Sequence, residues 1–111
     1  MTIEESNRLI AEFMDQKPYK EMWNVAFQRI EHDPLTFKYE RSWDWLMPVV
    51  EKIESFGYAV FMFPKNEVAI KQGMTISSMA ICKTVSETKI KAVYLAVIEF
   101  IQWYNENNRD N

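Results

Sequence analysis

Apolar residues recur at intervals of three and four in the first third of the chain, which is the spacing of one buried face of an α-helix. Thr2 and Glu5 stand at the spacing of a capping box and predict a first helix that runs to about Asp15. A second helix is predicted over residues 19–31. Its segment 23–27 also alternates as a strand would, so a strand-containing insertion stays open as the alternative.

Two further helices follow the same rule. Ser42 is placed as the N-cap of a third helix and Gly57 as the residue that ends it, while Pro48 is expected to kink its first turn or delay its start. Ser86 is predicted to cap the last helix, over about residues 87–105. The apolar stripe of this last helix is wider than one contact surface requires, which predicts a helix that is central to the core or lies in a dimer interface. The buried stripe of the third helix is predicted to consist of Leu46, Val49, Val50, Ile53 and Phe56, while Glu51, Lys52 and Glu54 are predicted to face water.

The region between these two helices has the pattern of strands. Tyr58–Phe63 is apolar at both odd and even positions, a turn follows at residues 64–66, and Glu67–Ile70 completes a hairpin. A third strand is expected within Met74–Cys82, ending at Cys82. A strand that is apolar on both sides should have both sides covered, by helices on each face or by a partner chain.

These elements predict an α+β fold. Its architecture is a three-stranded antiparallel sheet with helices packed on it, in the order α-α-α-β-β-β-α, with an αβα sandwich as the alternative arrangement. A chain of 111 residues suits a single domain, residues 1–111. Within it, residues 1–41 are interpreted as an N-terminal helical segment and residues 42–105 as an αβββα core.

Composition excludes several classes of protein. Only two glycines occur, so the glycine-rich phosphate-binding loops of nucleotide folds cannot be built. The single cysteine, Cys82, cannot form an internal disulfide or a zinc site, which favours a cytoplasmic location. The acidic start, with Glu4 and Glu5, and the lack of an apolar run of about 18 residues give no support for export or membrane insertion.

Residues with reactive side chains are few. His32, the only histidine, stands beside Asp33 and Pro34 at a predicted helix end, which is typical of a surface histidine. Cys82 closes a predicted strand and is interpreted as a buried structural thiol, although Lys83 next to it would lower its pKa if the two groups were close. We therefore expect no catalytic residue, no metal ligand and no cofactor.

Two tryptophans are candidates for contact with a protein partner. Trp43 stands at the start of the third helix, where the alternative interpretation is a lid over the end of the core. Trp103 lies in the last helix and widens its apolar stripe. Large aromatic side chains of this kind often anchor protein interfaces.

Two segments carry a resemblance to a known group of proteins. They are SWDWLMPVVEKIE at Ser42–Glu54 and KIKAVYLAVIEFIQWYN at Lys89–Asn105, and the first helix adds NRLIAEFM. These segments resemble small uncharacterised proteins encoded by bacteriophages and mobile elements of gut bacteria, some of which look similar to phage αβα-sandwich domains. The stretch Lys17–Tyr39 departs from that pattern. The resemblance implies an accessory protein of such an element and brings no catalytic residues with it.

The order helix, three strands, helix from Ser42 onward also resembles a double-stranded-RNA-binding domain, whose last helix begins with lysines that reach phosphates. Lys83, Lys89 and Lys91 occupy that place in this sequence. They belong to the one basic region, in which five lysines stand against two glutamates between Lys65 and Lys91. A solvated face and a docking surface for an anionic partner are the two interpretations of this region. The net charge of −3 works against non-specific phosphate binding.

The leading hypothesis is a non-enzymatic, cytoplasmic accessory protein of a phage or mobile element that acts through protein–protein contacts, with a homodimer as one form of such contact. The alternative is a nucleic-acid-binding module that uses Lys83, Lys89 and Lys91. The sequence names no partner.

Overall fold

The computed structural model describes residues 2–14, 37–72 and 80–108. Within these ranges three helices and three strands follow one another as α1 (Ile3–Phe13), α2 (Trp43–Ser55), β1 (Tyr58–Phe63), β2 (Glu67–Gln72), β3 (Ala80–Val85) and α3 (Lys89–Asn108). The α+β class is confirmed. The predicted second helix over residues 19–31, with its strand alternative, lies outside the described residues.

The three strands form one antiparallel sheet in the order β1-β2-β3. β1 and β2 are paired from Tyr58 opposite Gln72 to Phe63 opposite Glu67, with a short 3-10 turn at Pro64–Asn66 between them. Lys65 and Asn66 in this turn have φ of 64° and 58°. The turn is held against the start of α3, because the Asn66 side-chain amide donates to the carbonyl of Glu87 at 2.9 Å.

The inner face of the sheet is covered by helices. Val68 and Ile70 of β2 are fully buried there, and Cys82 and Thr84 of β3 project to the same side. α3 packs across β2 and β3, and the Thr84 hydroxyl donates to the carbonyl of Ala92 at 2.6 Å. α2 packs against β1 and α1 packs against α3, so that all three helices share one core with this face of the sheet.

The predicted helix signals are partly confirmed. Thr2 and Glu5 form the capping box, with both reciprocal hydrogen bonds present. Ser42 stands at the N-cap of α2 but its side chain makes no capping hydrogen bond, and the helix continues through Pro48 without a delayed start. Gly57 follows the end of α2 with φ of +96°, as predicted for a residue that ends a helix.

Four sequence predictions are wrong in detail. β3 continues beyond Cys82 to Val85, because Thr84 is buried and hydrogen-bonded while its polar neighbour Lys83 faces outward. Thr88, not Ser86, caps α3, since its hydroxyl accepts from the amide of Lys91. The other two predictions concern α2. Phe56 is exposed because the helix ends just before it, and Lys52 is half-buried instead of facing water, its Nζ donating to the carbonyl of Phe13.

The wide apolar stripe of α3 is explained within the chain. Its buried residues contact the sheet, α1 and α2 together, so the helix is central to the core. The width of the stripe therefore no longer argues for a dimer. The eight buried residues of this helix are Ala92, Val93, Tyr94, Ala96, Val97, Ile98, Phe100 and Ile101.

A buried polar cluster joins α1 to α3. Asn7, only 2% exposed, accepts a hydrogen bond from the Tyr94 hydroxyl at 2.9 Å and donates to the carbonyl of Phe37 and to the carboxylate of Glu40. Burial raises the pKa of the Tyr94 hydroxyl to about 12, although a hydrogen bond with Ser6 lowers it in part. A buried amide is tolerated in such a place because its nitrogen donates two hydrogen bonds and its oxygen accepts one.

Candidate functional site

The three lysines proposed to contact an anionic partner are each engaged within the chain. Lys83 Nζ lies 2.7 Å from a carboxylate oxygen of Glu67, and Lys91 Nζ lies 3.2 Å from one of Glu87. Lys89 Nζ donates to the carbonyl of Phe63 at 3.1 Å. The two ion pairs are exposed and contribute little to stability, but they reduce the positive charge that this edge presents.

The two tryptophans lie in different surroundings. Trp43, the first residue of α2, is 38% exposed. Trp103 is partly buried against the core, with its ring centroid 5.9 Å from that of Tyr58 and 5.9 Å from that of Phe100. The remaining surface of Trp103 lines a groove, so it is placed where a partner could contact it.

This groove, here called the α1–α3 groove, runs between α1 and the second half of α3. Among the described residues that line it, Leu9 belongs to α1 and the others belong to α3. Its volume is about 530 Å³. The groove is wide and open, and its described lining is aromatic and acidic, with Leu9, Glu99, Gln102, Trp103, Asn105 and Glu106.

A second surface is the face of the sheet opposite the described helices, here called the outer sheet surface. Strand pairing places on it Ala59, Phe61, Phe63, Glu67, Ala69, Lys71, Lys83 and Val85. All three β1 residues in this set are apolar, whereas a solvated sheet face normally carries polar side chains. Val85 at its end is 64% exposed. The described helices pack on the other face, while on this one Ala59 and Ala69 are buried and Phe61 and Phe63 are half-buried.

The centre of the outer sheet surface is a shallow depression of about 290 Å³. Its floor is Ala69, which is small and is surrounded by longer side chains, including Phe63, Glu67 and Lys83. The rings of Phe61 and Phe63 stack side by side with centroids 6.1 Å apart, and Lys71 Nζ lies 5.5 Å from the Phe61 centroid. The stacked rings of Phe61 and Phe63 and the ion pair between Lys83 and Glu67 therefore lie on the same face of the sheet.

The thiol of Cys82 is not placed to act as a nucleophile. It is 8% exposed and donates to the carbonyl of Ala96 at 3.4 Å. Burial raises its pKa to about 12, with a further contribution from the negative charge of Glu99. Lys83 does not lower this pKa, because successive residues of a strand point to opposite faces of the sheet, so that the side chain of Lys83 lies on the other face from the Cys82 thiol. The predicted burial of Cys82 is confirmed.

His32 lies outside the described residues. In the ranges 2–14, 37–72 and 80–108, no group of three or more histidine, cysteine, aspartate or glutamate side chains comes together. Over the same ranges, no helix combines the length and apolar character needed to cross a bilayer.

Sequence reasoning missed most of both surfaces. Phe61 and Phe63 lie in a strand that is predicted to be covered on both sides, and its pattern does not indicate which face of the sheet the helices occupy. Glu99 and Leu9 are far apart in sequence and meet only when α1 packs on α3, so no pattern within one element brings them together. The signal available in sequence was the i, i+4 and i+7 spacing of Glu99, Trp103 and Glu106, which places them on one side of a helix.

Comparisons with protein-family models, with curated proteins and with solved structures find no match to this chain. The resemblance to proteins of phages and mobile elements therefore depends on the segments quoted above. What the protein does has to be argued from its surfaces.

Proposed function

We propose that the protein is a non-enzymatic accessory protein of a phage or mobile element, acting in the cytoplasm through protein–protein contacts. The outer sheet surface is the contact region in this proposal. The resemblance of Ser42–Glu54 and Lys89–Asn105 to proteins of phages and mobile elements supports an origin in such an element. The single cysteine supports a cytoplasmic location.

The observation that carries the proposal is the apolar character of β1 on both sides. Tyr58 and Val60 pack into the core on the inner side, while Phe61 and Phe63 lie on the outer side with Ala59. A face of this composition is expected to be covered, and the described helices cover only the inner one. A protein partner, which includes a second copy of the chain, would bury these rings and Val85 together.

Site-specific photo-crosslinking tests this proposal. A benzophenone amino acid replaces Phe63 in a chain produced inside cells that carry the whole element, and the same replacement at Phe56 is the matched control. Phe56 is also an exposed phenylalanine, but it lies at the end of α2, where it stacks on Tyr104.

We expect a discrete protein adduct from position 63 and not from position 56. An adduct of twice the chain mass would identify a second copy, and light scattering over a range of concentrations would confirm it. Failure to form any adduct at position 63, or the same adducts from both positions, would show that the outer sheet surface is not a protein contact.

Nucleic-acid binding is the second candidate function, and one observation favours it. The order α2-β1-β2-β3-α3, with both helices on one face of the antiparallel sheet, is the arrangement expected from the resemblance to a double-stranded-RNA-binding domain. Against it, Lys83, Lys89 and Lys91 are all engaged by partners within the chain.

Titration with duplex RNA and duplex DNA at two salt concentrations separates the two functions. Phosphate binding must weaken steeply as salt rises, and it must be lost when Lys83, Lys89 and Lys91 are all changed to glutamine. We expect no binding at low salt. Salt-sensitive binding that disappears in the triple variant would replace the proposed function with the second candidate.

A further inference from the structure

The α1–α3 groove places an indole ring between two carboxylates. Glu99, Trp103 and Glu106 stand at positions i, i+4 and i+7 of α3, so they form one stripe along the helix. Seven residues of helix advance by roughly 10 Å, which separates the two carboxylates by about two turns. Leu9 of α1 adds an apolar side chain to the same groove.

Neither carboxylate is neutralised by the described part of the chain. The salt bridges formed there join Glu40, Glu67 and Glu87 to basic residues, and none of them includes Glu99 or Glu106. The helix on the other side of the groove is acidic as well, since α1 carries three glutamates and one arginine. The described residues therefore give the groove a negative charge around an aromatic ring.

This combination has a definite chemical complement. An arginine or lysine side chain is attracted to the face of a tryptophan ring, and its cation pairs with carboxylates, in bidentate form for arginine. A single metal ion cannot bridge the two glutamates, because carboxylate oxygens bind cations at about 2.0–2.6 Å and these residues are two turns apart. A nucleic acid would be repelled by the same charges.

We infer that the α1–α3 groove binds a basic segment of a partner protein, with two cationic side chains about 10 Å apart that pair with Glu99 and Glu106 on either side of Trp103. Two peptide conformations present such a spacing on one side. They are a polyproline II segment with basic residues three apart, which spans about 9 Å, and a helix with basic residues seven apart.

The inference assigns a surface different from the outer sheet surface. It shares with the proposed function only the idea that the protein acts by protein contacts. Photo-crosslinking at Phe63 and peptide binding in the groove can therefore fail separately, and each result applies to its own surface.

Calorimetric titration with two synthetic peptides tests the groove. One is proline-rich with arginines three residues apart, and the other is an alanine-based helix with arginines seven residues apart. Each has a matched form in which citrulline, a neutral isostere, replaces both arginines. Two double variants of the protein are compared. The first changes Glu99→Gln and Glu106→Gln in the groove. The control changes Glu51→Gln and Glu54→Gln on the exposed side of α2, which alters the net charge by the same amount.

We expect at least one arginine peptide to bind the unmodified protein. Its affinity should be about tenfold lower for the variant with Glu99→Gln and Glu106→Gln, and unchanged for the control variant. A tenfold change corresponds to about 1.4 kcal/mol, which is reasonable for the loss of two exposed charge-assisted contacts. The citrulline peptides should not bind.

Three results would overturn the inference. They are no binding of either arginine peptide, an equal loss of affinity in the two protein variants, and equal binding of the arginine and citrulline forms. The citrulline comparison uses the unmodified protein, so it decides the matter even if a glutamine variant fails to fold. Amide chemical shifts measured during the titration should change most along residues 99–106.

Discussion

The hydrogen bond between Tyr94 and Asn7 is the sharpest available test of how α1 packs on α3. Changing Tyr94→Phe removes the hydroxyl and leaves the ring, so the apolar contacts of α3 are kept. The hydroxyl donates to Asn7 Oδ1 at 2.9 Å, and both residues are almost fully buried, at 5% and 2% exposure. Without the Tyr94 hydroxyl, the buried Oδ1 atom of Asn7 loses this hydrogen-bond donor.

The expected cost follows from this burial. A hydrogen bond between neutral groups contributes about 1 kcal/mol net, and a buried polar atom left unsatisfied costs about 1–3 kcal/mol. We therefore expect Tyr94→Phe to lower the free energy of unfolding by about 1–2 kcal/mol. Asn7→Ala should cost more, because it also removes the donors to Phe37 and Glu40.

Urea unfolding followed by circular dichroism at pH 7 measures these changes. The matched control is Tyr58→Phe, because the Tyr58 ring contacts Phe100 while its hydroxyl makes no hydrogen bond to the described residues. We expect the control to change the free energy of unfolding by less than about 0.5 kcal/mol.

A double-mutant cycle isolates the bond itself. If Tyr94 and Asn7 interact as described, the double variant should be less destabilised than the sum of the two single variants, by about 1 kcal/mol. A coupling energy of zero, together with a Tyr94→Phe effect no larger than that of Tyr58→Phe, would refute the packing of α1 on α3 by this contact.

Three further predictions concern single positions. The Cys82 thiol should react with iodoacetamide far more slowly in the folded protein than in urea. The pKa of this thiol is about 12 in the folded protein and 9.0 in the unfolded chain, so the free energy of unfolding should fall as pH rises above 9. The fall is at most about 1.4 kcal/mol per pH unit. Urea unfolding at alkaline pH measures it, and Cys82→Ala should reduce this dependence on pH. Thr84→Val should lower the free energy of unfolding by about 1 kcal/mol, since the buried hydroxyl bond to Ala92 is lost while the shape is kept. Gly57→Ala should lower the thermal midpoint through a cost of about 1 kcal/mol, because a φ of +96° strains any residue with a Cβ even though no atom of the described chain lies within 4 Å of that position.

Local patterns in the sequence were enough for most of the described elements. The capping box at Thr2, the apolar stripe from Leu46 to Ile53, and the glycine after α2 are short-range signals, and each depends on residues within one or two turns. The hairpin was also visible, because Pro64–Asn66 separates two apolar runs. The cap of α3 is predicted two residues too early, because serine and threonine are both able to cap a helix and the sequence offers Ser86 and Thr88.

Long-range contacts could not be predicted in the same way. Asn7 lies on the apolar side of α1 beside Ile10 and Ala11, and a polar residue in that stripe was a sign of a buried hydrogen bond. Its donor, however, is 87 residues away. The face of the sheet that the helices cover and the groove beside Trp103 depend in the same way on how distant elements pack. No pattern within one element contains that information.

The separation between Asn7 and Tyr94 has a consequence for how the chain is made. Ribosomes add about 5–20 residues per second, so the asparagine is synthesised roughly 4–17 s before the tyrosine that pairs with it. During that interval α1 has no α3 to pack on, and its apolar side is open to chaperones or to neighbouring nascent chains. Synthesis of α3 therefore completes the packing around α1, and a chain stalled before residue 94 is expected to be a target for proteolysis.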